Sequence, residues 1–502
     1  MSAADCDIIR GMKRLAVVVV SLAAVVAAAG EFKVGFARVD ITPPLGSYMP
    51  GYFQARYAKE ILDPLQINMV AFSDGKTIAL VAQYDTEGIE DGIADRMRDA
   101  IVKATGVSRD AILLHASHTH DGGNLMSRGS GEWADGAKLP EVDRIYVDMA
   151  VTRSADAAVE AIRDLKPAKL SFGRSEARRI SFGRRYLMKD GKVRTNPGTN
   201  NPDIVRPVGT ADETVQVLRI DREGGLPICV INFQTHPDVV GGETITADWP
   251  GLTRNVFEGA TLGKTLCMVI NGTQGDVNHC NVLPRPGELN GLKRDFDDVD
   301  RGYEHAWHMA NVIAGAALSV WMKCIPAESG DIRFACENVR VPAQKAKDTD
   351  EKNLAWANDV WELHQKSRKD KVAYKQGDYV TAKYGWTGME LTTEVARAGR
   401  IRRMSTFADY HDLPVWGIAL GKDVAFGAFP GEPFNDIGKA VKKGSPFKLT
   451  ILSCLTNGSR GYFPFSDAYV GGGYESATSP FGPSVADDLV AGELKLLNGL
   501  AK

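Results

Sequence analysis

The chain has 502 residues, 44% of them hydrophobic, with 60 basic and 63 acidic side chains and a formal net charge of -3. That is the composition of an ordinary soluble globular protein with enough length to bury a large core. A near-neutral balance without a long basic tract argues against nucleic acid as a partner.

At the N-terminus, Met12-Lys13-Arg14 precedes an apolar run from Leu15 to Ala29 that closes on small residues. This is the layout of a secretory signal peptide, and the run is too short to span a bilayer comfortably. The expectation is a leader over 1–29 cleaved near Ala29, a secreted or periplasmic mature chain over 30–502, and no transmembrane segment in that chain. Cys6 leaves with the leader; Cys229, Cys267, Cys280, Cys324, Cys336 and Cys454 remain, which leaves room for disulfides without defining a pairing.

In chain order, Phe32 to Asp40 is a strand broken by Pro43-Pro44. Asn68 to Phe72 and Thr77 to Gln83 form a hairpin around Asp74-Gly75. Ile93 to Thr105 has helical spacing and leads into the apolar run Ala111 to Ser117, which is short enough to be a strand. That strand runs into His118-Thr119-His120-Asp121-Gly122-Gly123. Alternation puts His118 and His120 on one face if the extended conformation persists, with His115 on the other as a core histidine. Two imidazoles on one face, followed by glycines, are a common start for a zinc site.

Val142 to Leu165 is a long amphipathic helix, and Lys169 to Gly173 begins a strand followed by Arg174, Arg178, Arg179, Arg184 and Arg185. Guanidinium groups bind carboxylate, sulfate or phosphate in a fork, although a solvated surface explains such a stretch as well. Two further strands cover Thr214 to Ile220 and Leu226 to Thr235, with His236 at the end of the second. Lys264 to Asn271 runs into Gly272-Thr273-Gln274-Gly275-Asp276. Glu304 to Lys323 and Lys345 to about Lys375 are helical. Leu413 to Leu420 and Val424 to Phe429 make a hairpin leading to Pro430-Gly431-Glu432. A last strand over Leu449 to Leu455 opens into a loop carrying Tyr462 and a glycine-rich tail. Strands alternate with helices throughout, which predicts one large α/β domain with a mixed sheet and a site at its strand ends.

The ordered landmarks Ala37 to Pro43, Ser117 to His120, Gln234 to His236, Gly275 to Val277, Phe429 to Glu432, Gly461-Tyr462, Tyr474-Glu475 and Phe481 to Pro483 resemble those of the neutral/alkaline non-lysosomal ceramidases, which are zinc amidases. The resemblance implies that Zn2+ is held by His118, His236, Glu432 and a tyrosine, best matched by Tyr462 with Tyr469 and Tyr474 nearby. It places His120 beside the metal or facing substrate, and Arg184, with Arg185 next in line, at the substrate.

Two departures accompany it. The serine that family members carry shortly before Gly-Asp-Val is Gly272 here, with Thr273 as the nearest hydroxyl and substrate contact. The family's immunoglobulin-like C-terminal domain has no counterpart before Lys502. Metal-activated water needs no side-chain nucleophile, so the expected activity is hydrolysis of an amide in a small or lipid-like N-acyl compound. His120, Asp276 or Tyr462 would handle protons or the oxyanion. Two alternatives keep the scaffold: a glycosidase for an anionic glycan using Asp276 and Glu432 as acid and base, and an exported metal-binding protein without catalysis.

Overall fold

The computed structural model describes residues 31–52, 55–126, 141–286, 301–344, 351–370, 372, 378–404 and 408–502. The expected leader, with Cys6, and parts of the 345–375 helical stretch lie outside the described residues.

The first half of the chain builds one large sheet. Its main strands are β1 (Lys33–Asp40), β2 (Gln66–Ser73), β3 (Ile78–Tyr84), β4 (Ile112–Ala116), β5 (Lys166–Glu176), β6 (Thr214–Arg222), β7 (Ile228–Phe233) and β8 (Leu266–Asn271), in the spatial order β8-β7-β6-β5-β1-β2-β3-β4. Pairing is antiparallel except at the two ends, where β3 runs parallel to β4 and β7 parallel to β8. Parallel neighbours need a crossover rather than a tight turn. The chain supplies helix α1 (Asp91–Thr105) for the first and α3 (Asp248–Ala260) for the second, with α2 (Glu141–Arg163) packed beside β1 and β2. β4 and β7 are buried along their whole length and β8 along all but Leu266, and all three are nearly all apolar, as strands covered on both faces must be.

The second half adds a four-stranded sheet, β9 (Ile332–Pro342), β10 (Tyr410–Leu420), β11 (Val424–Ala428) and β12 (Leu449–Ser453), in that order, with β11 and β12 parallel. Before β9 comes α4 (Tyr303–Trp321). Between β9 and β10 lie α5 (Glu351–Lys369) and α6 (Gly388–Arg403), which bury a small apolar core of their own around Val360, Leu391 and Val395. Helix α7 (Asn435–Gly444) joins β11 to β12, and α8 (Val485–Leu500) packs on the outer sheet in place of the expected glycine-rich tail.

The two sheets meet at strand ends through His115. Its Nε2 accepts the Asn271 N–H at 3.0 Å, so Nδ1 carries the proton and donates to the Cys454 carbonyl at 2.7 Å. One neutral imidazole thereby ties β4 to the ends of β8 and β12, and burial holds its pKa down at about 4. His115 is a core histidine. All six cysteines of the described residues are free thiols, including Cys229 and Cys267, which face each other across the β7–β8 pair. No described helix is long and apolar enough to cross a membrane.

Candidate metal centre

His118, His120 and His236 come together just beyond the ends of β4 and β7, with one nitrogen of each ring within 4.8 Å of the others. The alternation argument gives the right neighbours for the wrong reason. β4 ends at Ala116, and His118 stands in the left-handed region at φ 75°, so the extended chain does not persist through it. The turn, rather than strand parity, brings His118 Nε2 to 3.3 Å from His120 Nε2. Such a backbone conformation is costly for a residue with a Cβ and is retained where the surroundings fix it.

Glu432 enters from the loop after β11. Its Oε2 lies 3.3 Å from His118 Nε2 and 3.2 Å from His236 Nε2. Zinc donors at 2.0–2.1 Å in a tetrahedron stand roughly 3.3 Å apart, so these spacings fit a common ion. The rear nitrogens are satisfied as well: His118 Nδ1 donates to the Glu87 carbonyl at 2.7 Å and His236 Nδ1 to the Gln274 carbonyl at 2.9 Å. Main-chain acceptors of this kind fix the tautomer that turns the Nε2 lone pair inward. Gln274 also donates to Glu432 Oε2 at 3.3 Å. Neither Glu87 nor Gln274 stands out as a ligand-orienting residue in the sequence, because the acceptor is a main-chain carbonyl that any side chain could accompany.

His120 differs from the other two. Its Nδ1 is buried without a hydrogen-bond partner, and it packs edge-on against Tyr52 at 5.4 Å. Burial and the neighbouring His118 charge keep it neutral, well below the ordinary imidazole value. At His118 burial also opposes the charge, but the Glu432 and Glu87 carboxylates outweigh it and lift the pKa to about 9. Glu432 is held well below the usual carboxylate range: burial works against this, but the His118 and His236 imidazoles prevail.

Tyr462 reaches the centre with its hydroxyl 3.5 Å from His236 Nε2. Arg184 closes the same side, with Nη1 3.2 Å from His236 Nε2, Nη2 donating to the Gly275 carbonyl at 2.7 Å and the guanidinium over the Tyr462 ring. Glu475 holds it through a 2.6 Å bond from Arg184 Nε. Glu475 appears in the sequence as a landmark without a role, since its partner is 291 positions away.

The remaining expected residues sit elsewhere. The Asp276 carboxylate accepts the Asn435 N–H at 2.7 Å at the start of α7, and burial raises its pKa to about 6. Thr273 Oγ1 points at the Asn435 carbonyl beneath Gly438. Arg185 is turned toward the Gly472 carbonyl and the Phe434 ring. Among the described residues none of these three has a hydrogen bond to the imidazole cluster. With Asp276 committed to Asn435 and Glu432 to two imidazoles, no observation favours an acid–base carboxylate pair.

A cavity of about 1160 Å3 among the described residues includes none of the imidazoles. It lies beyond Glu475, whose Oε2 accepts a hydrogen bond from Thr195 of the cavity wall at 2.9 Å.

No protein-family model matches the chain, and no curated protein matches it. Solved structures do. Neutral ceramidase from Pseudomonas aeruginosa superposes with a TM-score of 0.66 at 14% identity, covering 94% of this chain and 74% of that one. A ceramidase complexed with C2 gives 0.66 at 15% identity over 94% and 75%. The architecture of this chain, a single α/β unit with a mixed sheet and its polar cluster at the strand ends, is the neutral ceramidase fold.

Proposed function

We propose that this chain is a secreted zinc-dependent hydrolase that cleaves the amide of a small or lipid-like N-acyl compound. The observation that carries the reading is the donor set itself: one carboxylate oxygen 3.2–3.3 Å from each of two Nε2 atoms, with both rear nitrogens bonded to main-chain carbonyls. The ceramidase likeness in fold and the leader-like N-terminus support the substrate bond and the export.

His118, His236 and Glu432 would hold the ion, with Tyr462 at its edge. When bound, zinc supplies Lewis acidity, which polarises a carbonyl and makes water more acidic near neutral pH. Arg184 presents a permanent positive charge beside His236, placed to stabilise the oxyanion that develops on the carbonyl oxygen. Tyr462, whose phenol stays protonated because burial and the Glu432 carboxylate disfavour its ionised form, donates to the same oxygen. His120 is neutral, its buried Nδ1 has no hydrogen-bond partner and its Nε2 lies 3.3 Å from His118 Nε2, so it would take the proton from water and return it to the leaving amine. Asp276 and Thr273 anchor α7 to the loop that carries Gln274.

The test is bound metal per chain in the purified protein and in His118→Ala, His236→Ala and Glu432→Ala, measured together with release of fatty acid from an N-acyl sphingosine. Near-stoichiometric zinc lost with activity in all three supports the reading. Zinc without acyl release keeps the site and removes the substrate. A folded parent that takes up no zinc on resupply sinks the metal mechanism and favours a binding protein.

A further inference from the structure

We propose that a recess between β5, β6, α7 and β12, separate from the imidazole cluster, binds a phosphate group. The recess has a volume of about 380 Å3, within the range of small-ligand sites, roughly 300–1,000 Å3. Arg174, Lys439, Lys442 and Lys443 face it, against the single carboxylate of Asp212.

The pairing of these charges leaves an excess. Lys442 is bonded to Asp212 at 3.1 Å, and Lys439 to Asp436 at 2.7 Å. Arg174 and Lys443 have no carboxylate partner among the described residues. Arg174 donates to the Lys448 carbonyl and lies over the Phe172 ring, neither of which neutralises it. Burial and the nearby Arg174 charge both act against protonation of Lys442, which its Asp212 partner only partly offsets. Like charges gathered in a concave, partly desolvated place are what an oxyanion relieves.

The floor narrows the class of anion. Gln216 is 2% exposed, and its Oε1 has no hydrogen-bond partner. A buried carbonyl oxygen left without a donor carries an uncompensated desolvation penalty. Hydrogen phosphate and phosphomonoester monoanions carry a P–OH that can donate to Gln216 while their remaining oxygens meet Arg174 and Lys443. Sulfate carries no such proton. The arginine-rich stretch that begins at Arg174 thus contributes Arg174 to this site and Arg184 to the wall of the other.

Inorganic phosphate titrated into the full chain by calorimetry at low salt and near-neutral pH should bind, and more tightly than sulfate. Arg174→Ala with Lys443→Ala should weaken phosphate about tenfold or more, since charge-assisted bonds are lost. Both side chains are exposed, so an unchanged thermal midpoint is expected to show that the fold is intact. Gln216→Leu should remove the preference over sulfate. No phosphate heat, binding retained in the double variant, or sulfate binding as tightly as phosphate overturns the proposal. Vesicles of phosphatidic acid in phosphatidylcholine separate the source. Sedimentation with them, competed by inorganic phosphate, assigns the group to a lipid headgroup, and phosphate binding without sedimentation assigns it to a soluble ligand.

Discussion

The amide of Gln234 stands where a side chain at Gly272 would have to go. A Cβ built on Gly272 lies 3.0 Å from Gln234 Oε1 and 3.2 Å from Gln234 Cβ. The amide is clamped, with Oε1 accepting from Lys442 at 3.0 Å and Nε2 donating to the Asp212 carbonyl. Restoring a serine by Gly272→Ser therefore crowds a fixed neighbour, at a cost of about 1–3 kcal/mol. The variant should melt earlier and release acyl groups more slowly than the parent, and intact-mass measurement of quenched turnover should show no acyl adduct on either. A faster variant, or an adduct on residue 272, would mean that the site still works through a side-chain nucleophile.

The Arg184–Glu475 pair is almost completely buried, at 6% and 0% side-chain exposure. Removing one member of such a pair leaves an uncompensated charge and costs about 3–5 kcal/mol, whereas replacing both by apolar residues of similar volume is far milder. Glu475→Ala should lower unfolding free energy by that order. Arg184→Met with Glu475→Met should recover most of it while staying inactive, because the positive charge beside His236 is gone. Denaturant titration of the three proteins checks the first part and turnover the second. Equal stability of the single and double variants would show that the pair is screened by water.

Metal content should separate His120 from the proposed ligands. Gly51 has φ 98°, and a Cβ there would lie 2.7 Å from His120 Nδ1. Gly51→Ala should therefore displace the His120 ring, and both it and His120→Ala should keep near-stoichiometric zinc while kcat falls by about 100-fold or more, the usual contribution of a positioned acid–base group. Loss of zinc in His120→Ala would make it a ligand in a three-imidazole site.

Much of this arrangement is written locally in the chain. The apolar runs that become β4, β7, β8 and β11 are short, bounded by polar turns, and each ends within a few residues of a group that faces the centre or its walls. What is not local is not legible. Glu475 and Arg184 meet only after two sheets have packed, and the carbonyls behind His118 and His236 leave no trace in side-chain type. The expected convergence of His118 and His120 is realised through a left-handed residue that alternation does not foresee. Helix α8 is hidden by the glycines preceding it, although Val485, Leu489, Leu496 and Leu500 recur at helical spacing and are buried. Cysteine number leaves disulfides open, but two of the thiols are simply apolar positions on neighbouring buried strands.

Glu493 makes stability depend on pH. It projects from α8 into the apolar core against Gly427, is fully buried, and neither carboxyl oxygen has a hydrogen-bond partner. Burial alone raises its pKa well above the ordinary value of 4.5. The folded chain therefore holds a proton that the unfolded chain releases, so its stability is fully present below the unfolded pKa and declines as pH rises toward the folded one. The decline is about 1.4 kcal/mol per pH unit across that window. Glu493→Gln keeps the shape and the unpaired oxygen but cannot ionise. Its unfolding free energy should match the parent's in acid and exceed it increasingly as pH rises, with the gap levelling off once the parent's buried carboxyl ionises. Parallel pH–stability curves for the two proteins would show that Glu493 is solvated or paired in solution.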